Sequence, residues 1–326
     1  MKILVIRFSS IGDIVLTTPV VRILKTQLDN VEIHYATKIQ FASIFQENPY
    51  IDKMHYLQGS LLDFVKELRQ EKFDAVIDLH NNLRTGIIKL MLGVRSSSFH
   101  KLNFQKWLMV NLKINKLPPV HIVDRYLDAA KWLGIKNDSL GLDYFIPEKD
   151  EMPADWLPAS HRAGYVAYAI GGQHVTKKLP VNRMIELCKK VNRPIILLGG
   201  KEDLEAGEAI RLFFEKSSTG NTRTIIYNAC GKCNLNQSAS LVKNAALVIS
   251  HDTGLMHIAA AFKREVISIW GNTIPDFGMY PYRTKFTLLE NTAIGCRPCS
   301  KIGYDKCPKG HFNCMNKIAF DFEMPN

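Results

Sequence analysis

Short apolar runs alternate with segments of helical apolar spacing along the whole chain. In the first half Ile3 to Phe8, Val31 to Ala36 and Phe73 to Leu79 read as buried strands, with Lys53 to Leu57 a weaker one. Ile14 to Leu28 and Leu61 to Arg69 read as the helices between them. Such βα alternation predicts a parallel sheet with helices on both faces. Pro147 to Arg162 holds three prolines among polar residues and suits a connector. Beyond it strands are predicted at Tyr165 to Ile170, Pro194 to Leu198, Thr224 to Tyr227, Leu247 to Ser250 and Val266 to Trp270. Helices are predicted at Val181 to Val191, Leu204 to Phe214, Gln237 to Asn244 and Gly254 to Phe262. The expected organisation is two Rossmann-like domains, 1–155 and 156–326, with a ligand in the cleft at the carboxyl ends of their strands.

Composition adds limits to this picture. At 326 residues and 46% hydrophobic content the chain can bury the cores of two domains. No run approaches the roughly 20 apolar residues of a membrane-spanning helix. The apolar run inside Met1 to Arg7 is too short for a secretory core, so a cytoplasmic protein is expected. The net charge of +11 is concentrated: Arg84 to Lys136 carries ten Lys/Arg against Asp124 and Asp128. Phe99, Phe104, Trp107, Leu108, Met109, Val110 and Leu112 interleave with that basic block, which makes it amphipathic. An anionic partner is implied, and nucleic acid, anionic lipid or a phosphorylated saccharide would each satisfy it.

Three loops carry candidate chemistry. Ser9-Ser10-Ile11-Gly12-Asp13 follows the first strand and opens a helix, a corner that aims backbone N–H groups at an anion. It lacks the Gly-x-Gly-x-x-Gly fingerprint and the Gly-Lys-Ser/Thr of a P-loop, which counts against hydride transfer and ATP hydrolysis. Asp13 reads either as a first-turn residue favoured by the helix dipole or as a base for a hydroxyl nucleophile. Gly171-Gly172-Gln173-His174-Val175-Thr176-Lys177-Lys178-Leu179-Pro180 offers a glycine loop, a hydroxyl and two ammonium groups for a diphosphate, with Lys177 the preferred one. Asp252-Thr253-Gly254-Leu255-Met256-His257 joins an apolar strand to an Ala-rich helix. Asp252 and Thr253 can cap that helix, Gly254 lets a ligand approach and His257 lies in its first turn.

These segments in this order resemble the glycosyltransferase family that contains the ADP-heptose:lipopolysaccharide heptosyltransferases. The likeness extends through Thr17-Thr18-Pro19, Asp78-Leu79-His80-Asn81-Asn82-Leu83-Arg84, His121-Ile122-Val123-Asp124-Arg125-Tyr126 and Thr176-Lys177. It implies an α/β GT-B fold, with acceptor bound by the N-terminal half and nucleotide sugar by the C-terminal half. It further implies metal-independent transfer with inversion and no cofactor beyond the ADP-heptose donor. By position Asp13 is the base, Lys177 its catalytic partner, and Gly172, Thr176, Lys177, Asp252, Thr253, Gly254, Leu255 and His257 form the donor site. Ser10, Gly12, Arg84, His121 and Arg125 lie toward a phosphorylated, lipid-linked saccharide acceptor such as Kdo-lipid A or heptosylated core. Leu179 stands where many relatives have an aromatic residue, which leaves the contact to sugar or base open.

Seven cysteines remain, at 188, 230, 233, 296, 299, 307 and 314. Cys296-x2-Cys299-x7-Cys307-x6-Cys314 has the look of a zinc knuckle, with His311 a substitute ligand, although the resemblance calls for no metal. The leading expectation is a monomeric heptosyltransferase docked peripherally on the cytoplasmic face of the inner membrane. A same-family transferase with a different sugar is the near alternative. A nucleic-acid-binding protein with a structural zinc is the distant one, disfavoured because no basic helix carries interleaved base-reading side chains.

Overall fold

The structure, a computed structural model, describes residues 1–216 and 223–324. Its contacts divide the chain into two units: residues 1–102 with 120–147, and residues 103–119 with 148–324 of those described. The division between the halves therefore falls at 147/148, where the sequence reading put 155/156. Residues 103–119, read as part of the first half, pack with the second: Lys113 Nζ donates to the carbonyls of Cys296 at 3.1 Å and Pro298 at 2.6 Å.

Unit 1 runs β1 (Lys2–Ile6), α1 (Ile11–Val15), α2 (Thr18–Gln27), β2 (Glu32–Lys38), β3 (Lys53–Leu57), α3 (Leu61–Gln70), β4 (Ala75–Asp78), α4 (Leu83–Leu92) and β5 (Arg95–Ser98). α5 (Asn103–Leu112) follows in unit 2, and α6 (Ile122–Ala130) returns to unit 1. The five strands are all parallel, in the order β3-β2-β1-β4-β5. The single helix expected over 14–28 is two: the Thr17 N–H and hydroxyl both turn back to the Ile14 carbonyl, at 2.9 and 2.7 Å, and Thr17 becomes the N-cap of the next helix, where Pro19 sits in the first turn and its missing N–H costs nothing. Leu4, Ile6 and Val76 of the sheet, with Phe8 just past β1, pack on Phe64, Val65 and Leu68 of α3 and Ile88 of α4. The spacing 64, 65, 68 is one helical face, and its burial fixes which side of α3 meets the sheet.

Unit 2 continues with β6 (Val166–Ala169), α7 (Val181–Val191), β7 (Ile195–Leu198), α8 (Leu204–Lys216), β8 (Ile226–Asn228) and α9 (Leu235–Lys243). Then come β9 (Leu247–His251), α10 (Gly254–Ala261), β10 (Val266–Trp270), β11 (Phe286–Glu290) and α11 (Asn313–Asn316). Its six parallel strands are ordered β11-β10-β9-β6-β7-β8. β6, β7 and β9 are buried along their whole length, as central strands covered on both faces must be. α7 ends at Asn192 in the left-handed region (φ 48°), a residue type that tolerates that conformation. Cys314, Met315, Ile318 and Phe322 of the C-terminal segment join this core.

In each sheet the chain starts near the middle, winds outward one way, and then crosses to the other side. The reversal falls between β1 and β4 in unit 1 and between β6 and β9 in unit 2. Loops leaving adjacent strands in opposite directions open a crevice at such a point, so each unit has one predetermined place for a ligand.

Candidate active site: one half-site per unit

At the unit 1 reversal, Asp13 sits in the first turn of α1 beneath Ser10, whose backbone N–H and Oγ–H donate to Asp13 Oδ2 at 3.1 and 2.8 Å. The other carboxylate oxygen meets Arg7 Nη2 at 2.6 Å. Arg7 is fixed in turn, donating from Nε to the Ser9 carbonyl at 2.7 Å and from Nη1 to the Leu79 carbonyl at 2.6 Å. It also lies 5.7 Å from the centre of the Tyr126 ring. Burial works against the guanidinium's charge, but Asp13 and the neighbouring hydroxyls hold its pKa above the ordinary value. Arg7 is therefore a permanent cation, and it locks the Asp13 carboxylate in one orientation.

His80, two residues past β4, closes the other side of this half-site. Its Nδ1 is buried and has no hydrogen-bond partner among the described residues. Burial, with the charges of Arg7 and Lys101, brings its pKa down to about 4. The ring is neutral at physiological pH and can donate or accept a hydrogen bond without adding charge. Neither Arg7 nor His80 has a role assigned from the sequence. A charged residue directly after four apolar strand positions was the available signal for Arg7.

The remaining unit 1 residues are spread more widely. Gly12 is buried inside α1. Arg84 is exposed in the first turn of α4 and shares a shallow recess with Lys38, Leu57, Gly59 and Leu61. His121 is 2% exposed and caps α6, its Nδ1 accepting the Val123 N–H at 3.2 Å. Arg125, in the next turn, is 5% exposed and reaches the His100 carbonyl at 3.4 Å. Both brace α6; Arg84 is the one whose charge faces solvent.

At the unit 2 reversal the loops after β6 and β9 meet. Lys177 Nζ contacts Asp252 Oδ2 at 2.6 Å, and Asp252 is held from a second direction by Thr273 Oγ1 at 2.9 Å. Thr176 is buried, exchanging hydrogen bonds with Tyr304. Lys178 pairs with the buried Asp203 at 2.9 Å, which takes it out of the candidate diphosphate set. Thr253 is the N-cap of α10, but its side chain makes no capping bond; its hydroxyl meets Ser250 Oγ at 3.2 Å instead. Thr253 thus leaves the first N–H groups of α10, from Gly254 and Leu255, without its side-chain cap, while Lys177 is anchored on Asp252 two residues before the helix, a disposition suited to an anion. A Cβ on Gly172 would stand 3.2 Å from Thr253 Cγ2, so the glycine loop rests against this helix start. His257 is 2% exposed, one turn along. His251 accepts the Leu179 N–H at 3.0 Å, and burial with the Lys178 charge brings its pKa to about 3. Leu179 is buried in the core, which accounts for an aliphatic residue there.

Cys296, Cys299, Cys307 and Cys314 come close enough that the other three raise the Cys314 thiol further, after burial. Among the described residues no three of the sulfurs lie within 4.8 Å of one another. Cys296 Sγ stands 3.8 Å from His311 Nε2, and Cys314 is spent in the core, where burial raises its thiol to about 11.

Two parallel Rossmann-like units with polar half-sites at their reversal points define a GT-B glycosyltransferase. The chain belongs to glycosyltransferase family 9 (heptosyltransferase), whose model matches residues 61–308. A curated relative, lipooligosaccharide heptosyltransferase 2 of Haemophilus influenzae, is 25% identical over 93% of each chain. Among solved structures, the Escherichia coli ADP-heptose lipopolysaccharide heptosyltransferase II superposes with a TM-score of 0.71 at 20% identity, covering 97% of this chain and 98% of that one. The iron-containing dodecameric glycosyltransferase TibC of enterotoxigenic Escherichia coli does so with a TM-score of 0.56 at 14% identity, covering 96% and 74%.

Proposed function

We propose that this enzyme moves a heptose from ADP-heptose to the lipopolysaccharide inner core, with inversion at the anomeric carbon. The observation that carries the reading is the Lys177–Asp252 pair just before α10, a cation fixed next to a helix start that the Thr253 side chain does not cap, where a Rossmann unit takes a nucleotide. The family, and relatives that act on lipopolysaccharide, support the choice of sugar and acceptor.

The chemistry follows from the two half-sites. Asp13, oriented by Arg7 and Ser10, takes the proton of the acceptor hydroxyl as its oxygen attacks the anomeric carbon. The bond to the diphosphate breaks as the new glycosidic bond forms. Lys177 and the α10 N–H groups receive the charge that develops on the departing ADP. This arrangement asks nothing of a metal: the charge a divalent ion would offset is met by Lys177 and the helix start. Iron, present in TibC, enters no step of this reading.

Arg84 and Lys38 offer positive charge for an acceptor phosphate. For a lipid-linked acceptor the enzyme needs a membrane surface, and α5 suits one: none of its residues is buried, and Phe104, Trp107 and Leu112 are exposed between Lys101, Lys106 and Lys113. No helix among the described residues is long and apolar enough to cross a membrane. Binding to anionic liposomes at low salt, reduced in Trp107→Ser, is the expected result; indifference to such liposomes removes peripheral docking.

The deciding measurement is product formation from ADP-heptose and Kdo-lipid A, with GDP- and UDP-sugars as competing donors and with EDTA in a parallel series. Turnover of ADP-heptose that survives EDTA supports the full reading. Turnover of another nucleotide sugar alone keeps the mechanism and replaces the donor.

A further inference from the structure

The amino end of the unit 1 sheet, opposite to Asp13, holds a cluster that transfer does not use. His34 of β2 and His55 of β3 are 0% and 1% exposed, and His34 Nδ1 faces His55 Nε2 at 2.9 Å. Each ring's far nitrogen meets a carboxylate: His34 Nε2 to Glu32 Oε1 at 2.7 Å, and His55 Nδ1 to Glu67 Oε1 at 2.8 Å. An ionised carboxylate only accepts, so each far nitrogen carries its ring's proton. The two inward nitrogens, His34 Nδ1 and His55 Nε2, face one another across that 2.9 Å. Glu71, at the end of α3, adds an oxygen 3.9 Å from His34 Nδ1. The three inward atoms, two imidazole nitrogens and one carboxylate oxygen, all lie within 4.8 Å of one another.

We propose that His34, His55 and Glu71 form a binding site for one divalent transition-metal ion of the zinc class. Two inward-facing imidazole nitrogens and one carboxylate oxygen converging within 4.8 Å are a donor set that zinc accepts. Carboxylates on the far nitrogens are what metal-binding histidines ordinarily have, since they fix the tautomer and raise ligand basicity. Zinc–nitrogen bonds of about 2.0–2.1 Å need the two nitrogens to part by roughly half an ångström. The groups facing the cluster are known: Lys2 of β1 and Lys53 of β3 both contact Glu71, and their side chains, 25% and 53% exposed, can turn to solvent as an ion takes the carboxylate. Phe73 walls the rings from a third side. The ion would clip the edge strand β3 to β2 and α3, a structural role independent of the transfer chemistry.

The test titrates the full chain with Co2+, with its cysteines alkylated in a parallel sample, and then displaces cobalt with Zn2+. We expect one ion per chain with visible d–d bands, no thiolate-to-cobalt charge transfer, and a higher Tm with zinc. His55→Gln should abolish binding. Glu67→Gln, a change at a half-exposed side chain that leaves the ligands in place, should weaken it about 10- to 100-fold with an unchanged circular dichroism spectrum. No binding, a thiolate band that alkylation removes, or equal affinity in Glu67→Gln would each overturn the site. So would imidazole nitrogen shifts showing one shared proton that zinc does not displace.

Discussion

The two half-sites occupy equivalent places in their sheets but are built with opposite polarity. In unit 1 the cation is the buried member: the Arg7 side chain is 10% exposed, and Asp13, at 22%, is the group presented. In unit 2 the anion is buried: Asp252 is 9% exposed and Lys177, at 18%, is presented. A buried charge needs its partner, so in both places the fold supplies a fixed counterion and leaves the other ion the more accessible. In the proposed mechanism unit 1 thereby supplies the base and unit 2 the cation that meets the leaving group's charge. The same strand order can serve either half of a group transfer, and the choice lies in which member of one ion pair is buried. Each place also has a histidine kept neutral by burial and nearby cations, His80 in one and His251 in the other.

Breaking the presented ion should stop the chemistry in either half. Asp13→Asn removes the base and is expected to lower kcat by about 10²- to 10⁴-fold while ADP binding, followed by calorimetry, stays intact. Lys177→Met should lower kcat by about 10²- to 10³-fold and weaken ADP binding as well. If Asp13→Asn also abolished ADP binding, the division of labour between the units would be wrong.

Breaking the buried ion should instead damage stability. Arg7→Met leaves Asp13 without its fixed partner and is expected to cost about 3–5 kcal/mol in urea unfolding. Asp252→Asn keeps the size and the Thr273 contact, so its smaller cost measures the charge of the pair alone.

The order of βα units was legible because central parallel strands are apolar throughout, and β6, β7, β9 and β10 lie within a residue or two of where the runs end. β5 was not legible: Arg95-Ser96-Ser97-Ser98 is an edge strand held by backbone pairing to β4, with no apolar face to betray it. The motif residues could be located from strand–loop–helix punctuation. What each one touches could not, because Lys177 and Asp252 lie 75 positions apart and only the parallel pairing of β6 with β9 brings their loops together. The histidines and glutamate that converge, 34, 55 and 71, have no compact spacing, so no local motif could point to them.

The neutral histidines give a pH test of both places at once. The unfolded chain titrates its imidazoles near 6.5. The folded values of about 3 for His251 and about 4 for His80 lie below that, so on acidification the unfolded state takes up protons first. The stability these residues contribute is present above about pH 6.5 and is lost as pH falls toward the folded values. Urea unfolding between pH 7 and pH 4 should show that decline. His251→Gln, which keeps an acceptor for the Leu179 N–H, should flatten it more than His80→Gln does, since His251 is the more deeply buried.

The smallest expected effect lies at Gly172. Its missing Cβ would stand 3.2 Å from Thr253 Cγ2 and 3.4 Å from Lys178 Cγ, closer than comfortable contact but within reach of small shifts. Gly172→Ala should therefore push the glycine loop and the α10 cap apart by a few tenths of an ångström without unfolding the unit. Overpacking of that size costs about 1 kcal/mol, which in ADP affinity is about fivefold. Because Asp13 lies in the other unit, kcat at saturating donor should hardly change. A loss confined to KM for the donor would show that the loop and helix start of unit 2 bind the nucleotide as one surface; an equal loss in kcat would mean that the same contact also sets the position of Lys177 during bond breaking.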